Sequence, residues 1–353
     1  MFFHFPLSRQ WIPGGSLGVD LFFVLSGFLI TNLLLEERAA TGKISLAGFY
    51  QRRARRLLPA LIIFLALFSV ITIVAAQPGV DRLPVTVIAS QLYVLNWVDD
   101  FGGLLTQGTG HLWSLSVEEQ FYLLWPAVLL VAFRGGPRSL FWVSIALFAI
   151  SASLPAWSGR SFWELYTGTE YRAQELMAGA ILAQLRFSGL VTPSIADRIP
   201  FRASVAFSVV FFSLFLVSLQ NRHAFMFAGL YAVTAISGAV IICWALYKPP
   251  LILTNSVIRY VGRRSYALYL WHHAIEFWVR WFAPLPEFVM AVVLSFVAAE
   301  LSWRLVEQRG SLLLRAPEAV RGWVRGVRHG AQAAITPGAP AAAIVPPKPV
   351  GDG

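Results

Sequence analysis

Long apolar runs separated by short polar or basic turns dominate the chain. A helix that crosses the hydrocarbon layer needs about 20 predominantly apolar residues and seldom fewer than about 17. Nine stretches approach that measure, centred on 17–35, 57–76, 119–133, 140–157, 172–187, 203–219, 226–247, 265–282 and 287–306. A tenth run, 84–98, is shorter and is bounded by Pro84 and by Asp99-Asp100. The pattern predicts an all-α, polytopic bundle of transmembrane helices.

Composition strengthens that expectation. Hydrophobic residues make up 57% of the 353-residue chain and charged residues 13%, where a soluble domain carries roughly a quarter charged residues. Too little polar surface is left to face water, so lipid is the expected solvent. The net charge of +10 does not indicate nucleic acid, because the basic residues sit between and after apolar segments, as in cytoplasmic loops. Cys243 is the only cysteine, which excludes an intrachain disulfide framework. No basic n-region or early small-residue cleavage site marks a signal peptide.

Loop charge decides how the tenth run lies. If 84–98 does not cross, one side collects the Arg52–Arg56 cluster, Arg134, Arg138, Arg186, Arg198, Arg202, Lys248 to Arg264 and the C-terminal arginines. The other side then receives Asp81, Asp99, Asp100, Glu164 and Glu170. Crossing would separate the later basic loops from the first cluster, against the positive-inside bias. The segment 77–118 is therefore expected to be a non-cytoplasmic loop holding a re-entrant or surface helix. This topology starts the chain outside, and Met1-Phe2-Phe3-His4-Phe5-Pro6 looks like the tail of a preceding helix. Residues 1–310 are expected to form the membrane domain of a cell (inner or plasma) membrane protein. Residues 311–353 read as a cytoplasmic tail, basic at first and then Ala/Pro-rich and disordered from about 331.

Several polar groups stand out against the apolar background. Arg52, Arg53, Arg55 and Arg56 lie at the entrance of the second helix. They suit a topology determinant with anionic-lipid contact, or a clamp in which guanidinium forks grip phosphate oxygens. Asp20, a carboxylate near membrane depth, needs a partner; it is either an interfacial residue or the group that orients a base at His4. His111, Trp113, Ser114, Glu118, Gln120 and Tyr122 make up the densest polar–aromatic run. Ser114 or Ser116 as a cap and Glu118/Glu119 at a helix N-terminus explain part of that run, but not His111, Trp113 and Gln120. In 265–282, Ser265, Tyr269, His272, Glu276 and Arg280 form one polar stripe, which in lipid must face the bundle interior. Glu276–Arg280 and Glu300–Arg304 have the spacing of i,i+4 ion pairs. No metal site is expected from the adjacent His272 and His273. Arg172 and Glu175 read as packing and charge pairing, with Gly179 allowing close approach of a neighbour.

Taken in order, these segments resemble the acyltransferase 3 family, the membrane O-acetylases of the O-antigen and peptidoglycan type. Gly18-Val19-Asp20-Leu21-Phe22-Phe23-Val24-Leu25-Ser26-Gly27-Phe28-Leu29-Ile30 resembles the family's second helix. Phe49-Tyr50 through Arg56 and Pro59 resembles its arginine motif. His111 to Tyr122, with Leu124 and Pro126, resembles its Trp-Ser-Leu-x-x-Glu-x-Gln-Phe-Tyr motif. Ser265-Tyr266-Ala267-Leu268-Tyr269-Leu270-Trp271-His272 resembles its late Ser-Tyr-x-x-Tyr-Leu-x-His helix.

The resemblance implies ten membrane helices, a cytoplasmic acyl-CoA donor (acetyl-CoA) and a carbohydrate or glycolipid acceptor, with no metal. It implies that His4 is the family's essential histidine, that Asp20 or Glu118 supports it, and that the arginine motif binds the donor's phosphates. His111, Trp113, Ser114, Gln120, Tyr122, Tyr269 and His272 would line the substrate site. The family also carries most of a helix ahead of that histidine, including an arginine about three turns earlier, and this sequence shows neither. A transporter or flippase for a polar or lipid-linked substrate is the alternative from another class, since polar stripes suit a transport path as well. Paired broken helices of the transporter kind are not evident.

Overall fold

The computed structural model of the protein describes residues 17–98, 104–194, 229–282 and 287–308. His4, the run centred on 203–219 and the Ala/Pro-rich tail fall outside these residues. Within them the chain forms α1 (Leu17–Thr41), α2 (Leu46–Val74), a 3₁₀ turn (Val80–Arg82), α3 (Leu83–Gln91) and α4 (Leu95–Val98). There follow α5 (Leu112–Phe133), α6 (Pro137–Ser158), α7 (Phe162–Thr167), α8 (Thr169–Phe187) and α9 (Leu230–Tyr247). The last part comprises α10 (Leu251–Thr254), α11 (Ser256–Arg263), α12 (Ser265–Phe282) and α13 (Glu287–Ser302), which runs into a π-helical turn at Trp303–Glu307. No strand occurs among the described residues.

Among the described residues, five helices are long and apolar enough to cross a membrane: Gly18–Thr41, Leu46–Val74, Leu112–Phe133, Pro137–Ser158 and Phe288–Glu307. Their outward faces carry large exposed apolar side chains, such as Leu29, Ile62, Val70, Leu124 and Val297. Polar groups turn inward instead, as a lipid-solvated bundle requires. Helices α8 and α12, also expected to span, fall outside that apolar class: α8 carries Glu170, Arg172, Glu175 and Arg186, and α12 carries His272, His273, Glu276 and Arg280.

The tenth run is broken. It forms α3 and α4, joined through Tyr93 with φ 55°, a left-handed conformation that ends a helix. Nine residues of α3 extend only about 14 Å, too short to span.

Helix α2 begins eleven residues before the apolar run centred on 57–76. Ser45 caps it by accepting from the Gly48 backbone N–H at 3.2 Å, and arginine is a good helix former. The arginine motif therefore lies on the helix itself, in its second and third turns, rather than at its entrance.

A tight seam sets the positions of α1 and α8. A Cβ on Gly27 would fall 1.9 Å from the Leu176 carbonyl oxygen, and one on Gly179 would fall 1.9 Å from that of Val24. The two backbones are therefore in contact, as small residues allow between membrane helices. Polar contacts close both ends of the seam. Asp20 and Arg172 meet at one end; at the other, Arg186 reaches Asn32 at 2.5 Å and Glu36 at 3.3 Å. Asp20 lies seven residues before Gly27 and Arg172 seven before Gly179, so two parallel helices touching at their glycines bring the charges level. The close approach expected at Gly179 is observed.

Candidate active site

The site is a connected set of polar groups inside the bundle, and Glu118 on α5 is its middle. Helix α5 runs beside α1, and the pair is pinned where Trp125 Nε1 donates to Thr31 Oγ1 at 2.8 Å. That register places Ser26 of α1 against Glu118, and its hydroxyl donates to Glu118 Oε1 at 2.5 Å. Tyr122, one turn along α5, donates its hydroxyl to the same oxygen, as the i,i+4 spacing foreshadows. From α2, Arg53 pairs with Glu119 at 3.1 Å and lies 3.9 Å from Glu118. Its guanidinium stacks 3.1 Å from the centre of the Tyr122 ring. The arginine motif and the polar–aromatic motif, 60-odd residues apart in sequence, therefore form one site.

The four arginines divide by role. Arg52 pairs with Glu37 at the end of α1, at 3.3 Å, and Arg53 with the α5 carboxylates. Arg55 and Arg56 are exposed and have no ion-pair partner within 4.0 Å among the described residues. These two guanidinium groups are available to an anionic ligand, while Arg52 and Arg53 join helices.

His111 stands at the start of α5 and faces α12. Its Nε2 is 3.2 Å from the Leu270 carbonyl oxygen, and the Tyr269 hydroxyl donates to the His111 carbonyl. Ser114 and Tyr269 share a short hydroxyl–hydroxyl hydrogen bond. The His111 ring lies 5.2 Å from that of His272 and 5.1 Å from that of His273. His272 Nδ1 points back to its own helix, 2.8 Å from the Tyr269 carbonyl oxygen, so that nitrogen donates. Neither serine caps α5: Ser114 bonds to His111 and Tyr269, and Ser116 to the Leu112 carbonyl.

Gln120 acts as a strut. Its Nε2 donates to the Tyr93 carbonyl at 2.6 Å and to Asn96 Oδ1 at 3.0 Å, and its Oε1 accepts from Thr169. It ties the α3–α4 segment to α5 and α8. Burial, with the nearby charges of Glu119 and Glu118, holds the Tyr93 phenol above its ordinary range.

Asp20, 0% exposed, has Arg172 as its partner among the described residues. Arg172 also lies 3.3 Å from Glu175. An aromatic box of Phe23, Trp113, Tyr166 and Tyr231 surrounds the guanidinium, with ring centres 4.3 to 5.6 Å away. Asp20 Oδ2, Arg172 Nε and both Glu175 oxygens lack hydrogen-bond partners among the described residues. Packing and pairing do account for Arg172, but its pairing is with a site candidate. The equal spacing of Asp20 and Arg172 from their glycines was the sequence signal for it. Ser26 carried no such signal, because nothing local distinguishes a serine beside a glycine. Glu276–Arg280 and Glu300–Arg304 are the expected intrahelical pairs, and Glu300 additionally holds Arg264, which stands between α11 and α12.

Residues 1–304 match the profile of a family described as an acyltransferase domain. The O-acetyltransferase OatA of Staphylococcus aureus (strain NCTC 8325 / PS 47) is 32% identical over 326 residues, covering 86% of this chain and 54% of that protein. A putative O-acetyltransferase of Staphylococcus aureus (strain COL) is 33% identical over 331 residues, with the same coverage of 86% and 54%. The chain thus spans about half the length of the curated relatives it matches. No solved structure matches it significantly. With the family profile covering most of the chain, and with the arginine and polar–aromatic motifs joined around Glu118, this chain belongs to the acyltransferase 3 family of membrane proteins.

Proposed function

We propose that the protein is a membrane O-acyltransferase that moves an acyl group, in the first instance acetyl, from cytoplasmic acyl-CoA to a hydroxyl of a carbohydrate-containing acceptor at the cell surface. The observation that carries this reading is the meeting of Arg53, from the α2 arginine motif, with Glu118, Ser26 and Tyr122 inside the bundle. The exposed cations Arg55 and Arg56 stand on the same helix as the arginine that meets this buried acid and hydroxyl cluster, the combination that transfer from a phosphate-bearing thioester to an alcohol needs. The relatives' printed names, O-acetyltransferase, point the same way.

In this account Arg55 and Arg56 receive the donor's phosphates, since fork-shaped guanidinium groups bind phosphate oxygens in pairs. Arg52 and Arg53 hold α2 against α1 and α5. His4 removes the proton from the acceptor hydroxyl as its oxygen attacks the thioester carbonyl. The C–S bond then breaks, and the thiolate takes up a proton as it leaves. Asp20 or Glu118 supports that histidine, and Arg172 fixes the place of Asp20. The aromatic groups around Trp113 and the His111–Tyr269–Ser114 set shape the path between donor and acceptor. The test is release of coenzyme A from acetyl-CoA by the purified full-length protein beside His4→Ala. Turnover lost in the variant is expected; undiminished turnover would remove His4 from the mechanism.

A further inference from the structure

The segment linking α9 to α12 is built unlike the rest of the molecule. Helix α10 exposes Leu251 (88%) and Ile252 (65%), and α11 exposes Val257 (63%) and Ile258. At 100° per residue, Val257, Ile258 and Val261 share one face of α11, while Arg259, Arg263 and Ser256 lie on the opposite side. Tyr260, between those faces, is pinned to the bundle, its hydroxyl donating to Glu300 Oε2 of α13 at 2.6 Å. The next residue but three, Arg264, grips the same carboxylate and lies 3.5 Å from the Tyr260 ring centre and 4.3 Å from that of Trp303. Helix α11 is therefore fixed in orientation, with Val257 and Ile258 of its apolar face exposed. Eight residues, about 12 Å of helix, cannot cross a membrane.

We infer that α10 and α11 form an in-plane anchor whose apolar face enters the acyl boundary of an anionic lipid leaflet, with Arg259 and Arg263 at the headgroup phosphates. Charge complementarity selects this occupant. Arg259 and Arg263 form the polar face of α11 opposite the apolar one, Lys248 precedes α10, and the loop charges put this segment on the basic, inner side, where leaflets carry anionic lipid. Amphipathic helices with a basic polar face bind such surfaces by combined apolar burial and charge. The anchor has a consequence for the site. Helix α12 starts directly after Arg264, its Tyr266 hydroxyl donates to the Leu57 carbonyl of α2 at 3.1 Å, and its Tyr269 contacts His111. Lipid contact at α11 thus sets the depth of α12 beside the arginine helix.

The test uses the full-length protein in vesicles, with Cys243→Ser and a single nitrobenzoxadiazole-labelled cysteine from Ile258→Cys or Arg259→Cys. In vesicles containing phosphatidylglycerol, the label at 258 is expected to emit at shorter wavelength and be quenched by brominated lipid. Its iodide quenching should be about 3-fold or more weaker than that of the label at 259. The contrast should shrink in phosphatidylcholine alone, and likewise when Lys248→Gln and Arg263→Gln are added in the anionic vesicles. Equal iodide quenching at both positions would overturn the inference. So would a contrast indifferent to anionic lipid, or one that grows with the protein-to-lipid ratio, which would assign the face to a second copy of the chain.

Discussion

Replacing Gly179 by alanine probes the link between helix packing and the site with a single methyl group. The added Cβ would fall 1.9 Å from the Val24 carbonyl oxygen, 2.6 Å from the Phe28 nitrogen and 2.9 Å from the Val24 carbonyl carbon. All three are backbone atoms, so no side chain can swing aside. Carbon–oxygen contacts are comfortable at about 3.3 Å and beyond, so α8 must retreat from α1 by roughly 1.4 Å. Overpacking of this kind costs about 1–3 kcal/mol, against a helix-propensity gain of about 1 kcal/mol for glycine to alanine. The retreat also pulls Arg172 from Asp20. Displacements near 1 Å in a positioned site can cost about 10²-fold in rate. The expected outcome is a fall of a few degrees in the thermal midpoint of the detergent-solubilised protein and a drop in acyl transfer of about that factor. Gly18→Ala on α1 is the control, because nothing among the described residues lies within 4 Å of its Cβ position, and it should change neither quantity. Full stability and full activity in Gly179→Ala would refute the claim that the seam positions the site.

Further predictions follow from the buried charges and struts. Arg172→Met leaves Asp20 and Glu175 buried without their cation and should destabilise by about 3–5 kcal/mol, while adding Asp20→Asn and Glu175→Gln should restore most of the loss; thermal unfolding reads both. Glu118→Gln keeps an acceptor for Ser26 and Tyr122 but removes the charge beside Arg53, and should cut turnover by about 10²-fold or more with an unchanged thermal midpoint. Gln120→Leu strips hydrogen bonds from Asn96 and Thr169 and should cost about 1–3 kcal/mol, visible as a lower midpoint and faster proteolysis near the α3–α4 segment. Arg55→Gln with Arg56→Gln should raise the KM for acetyl-CoA about tenfold or more, whereas Arg52→Gln should act mainly on stability; steady-state kinetics with thermal unfolding separates the two.

What the chain reveals by itself follows from how local each cause is. Apolar runs and the Glu118–Tyr122 pair depend on neighbours a few residues apart, so they are legible. The start of α2 is not visible to hydropathy, because Arg52 to Arg56 lower the apolar average while leaving helix propensity intact. The division of the four arginines is hidden for another reason: the carboxylates that claim Arg52 and Arg53 come from α1 and α5. Arg172 is the instructive case. Its intrahelical neighbour Glu175 sufficed to explain it, and only the glycine contact between α1 and α8 reveals Asp20 as its partner.

The central claim, that this bundle catalyses acyl transfer and does not move a substrate unchanged, is tested most directly by chemical analysis of surface glycans. The comparison is between cells carrying the gene, cells lacking it, and cells complemented with the full-length protein or with Glu118→Gln. The account predicts O-acyl esters that disappear on deletion, return with the unaltered protein and stay absent with the variant. Ester levels that ignore the deletion, together with an unmodified substrate accumulating on one side of the membrane, would contradict it.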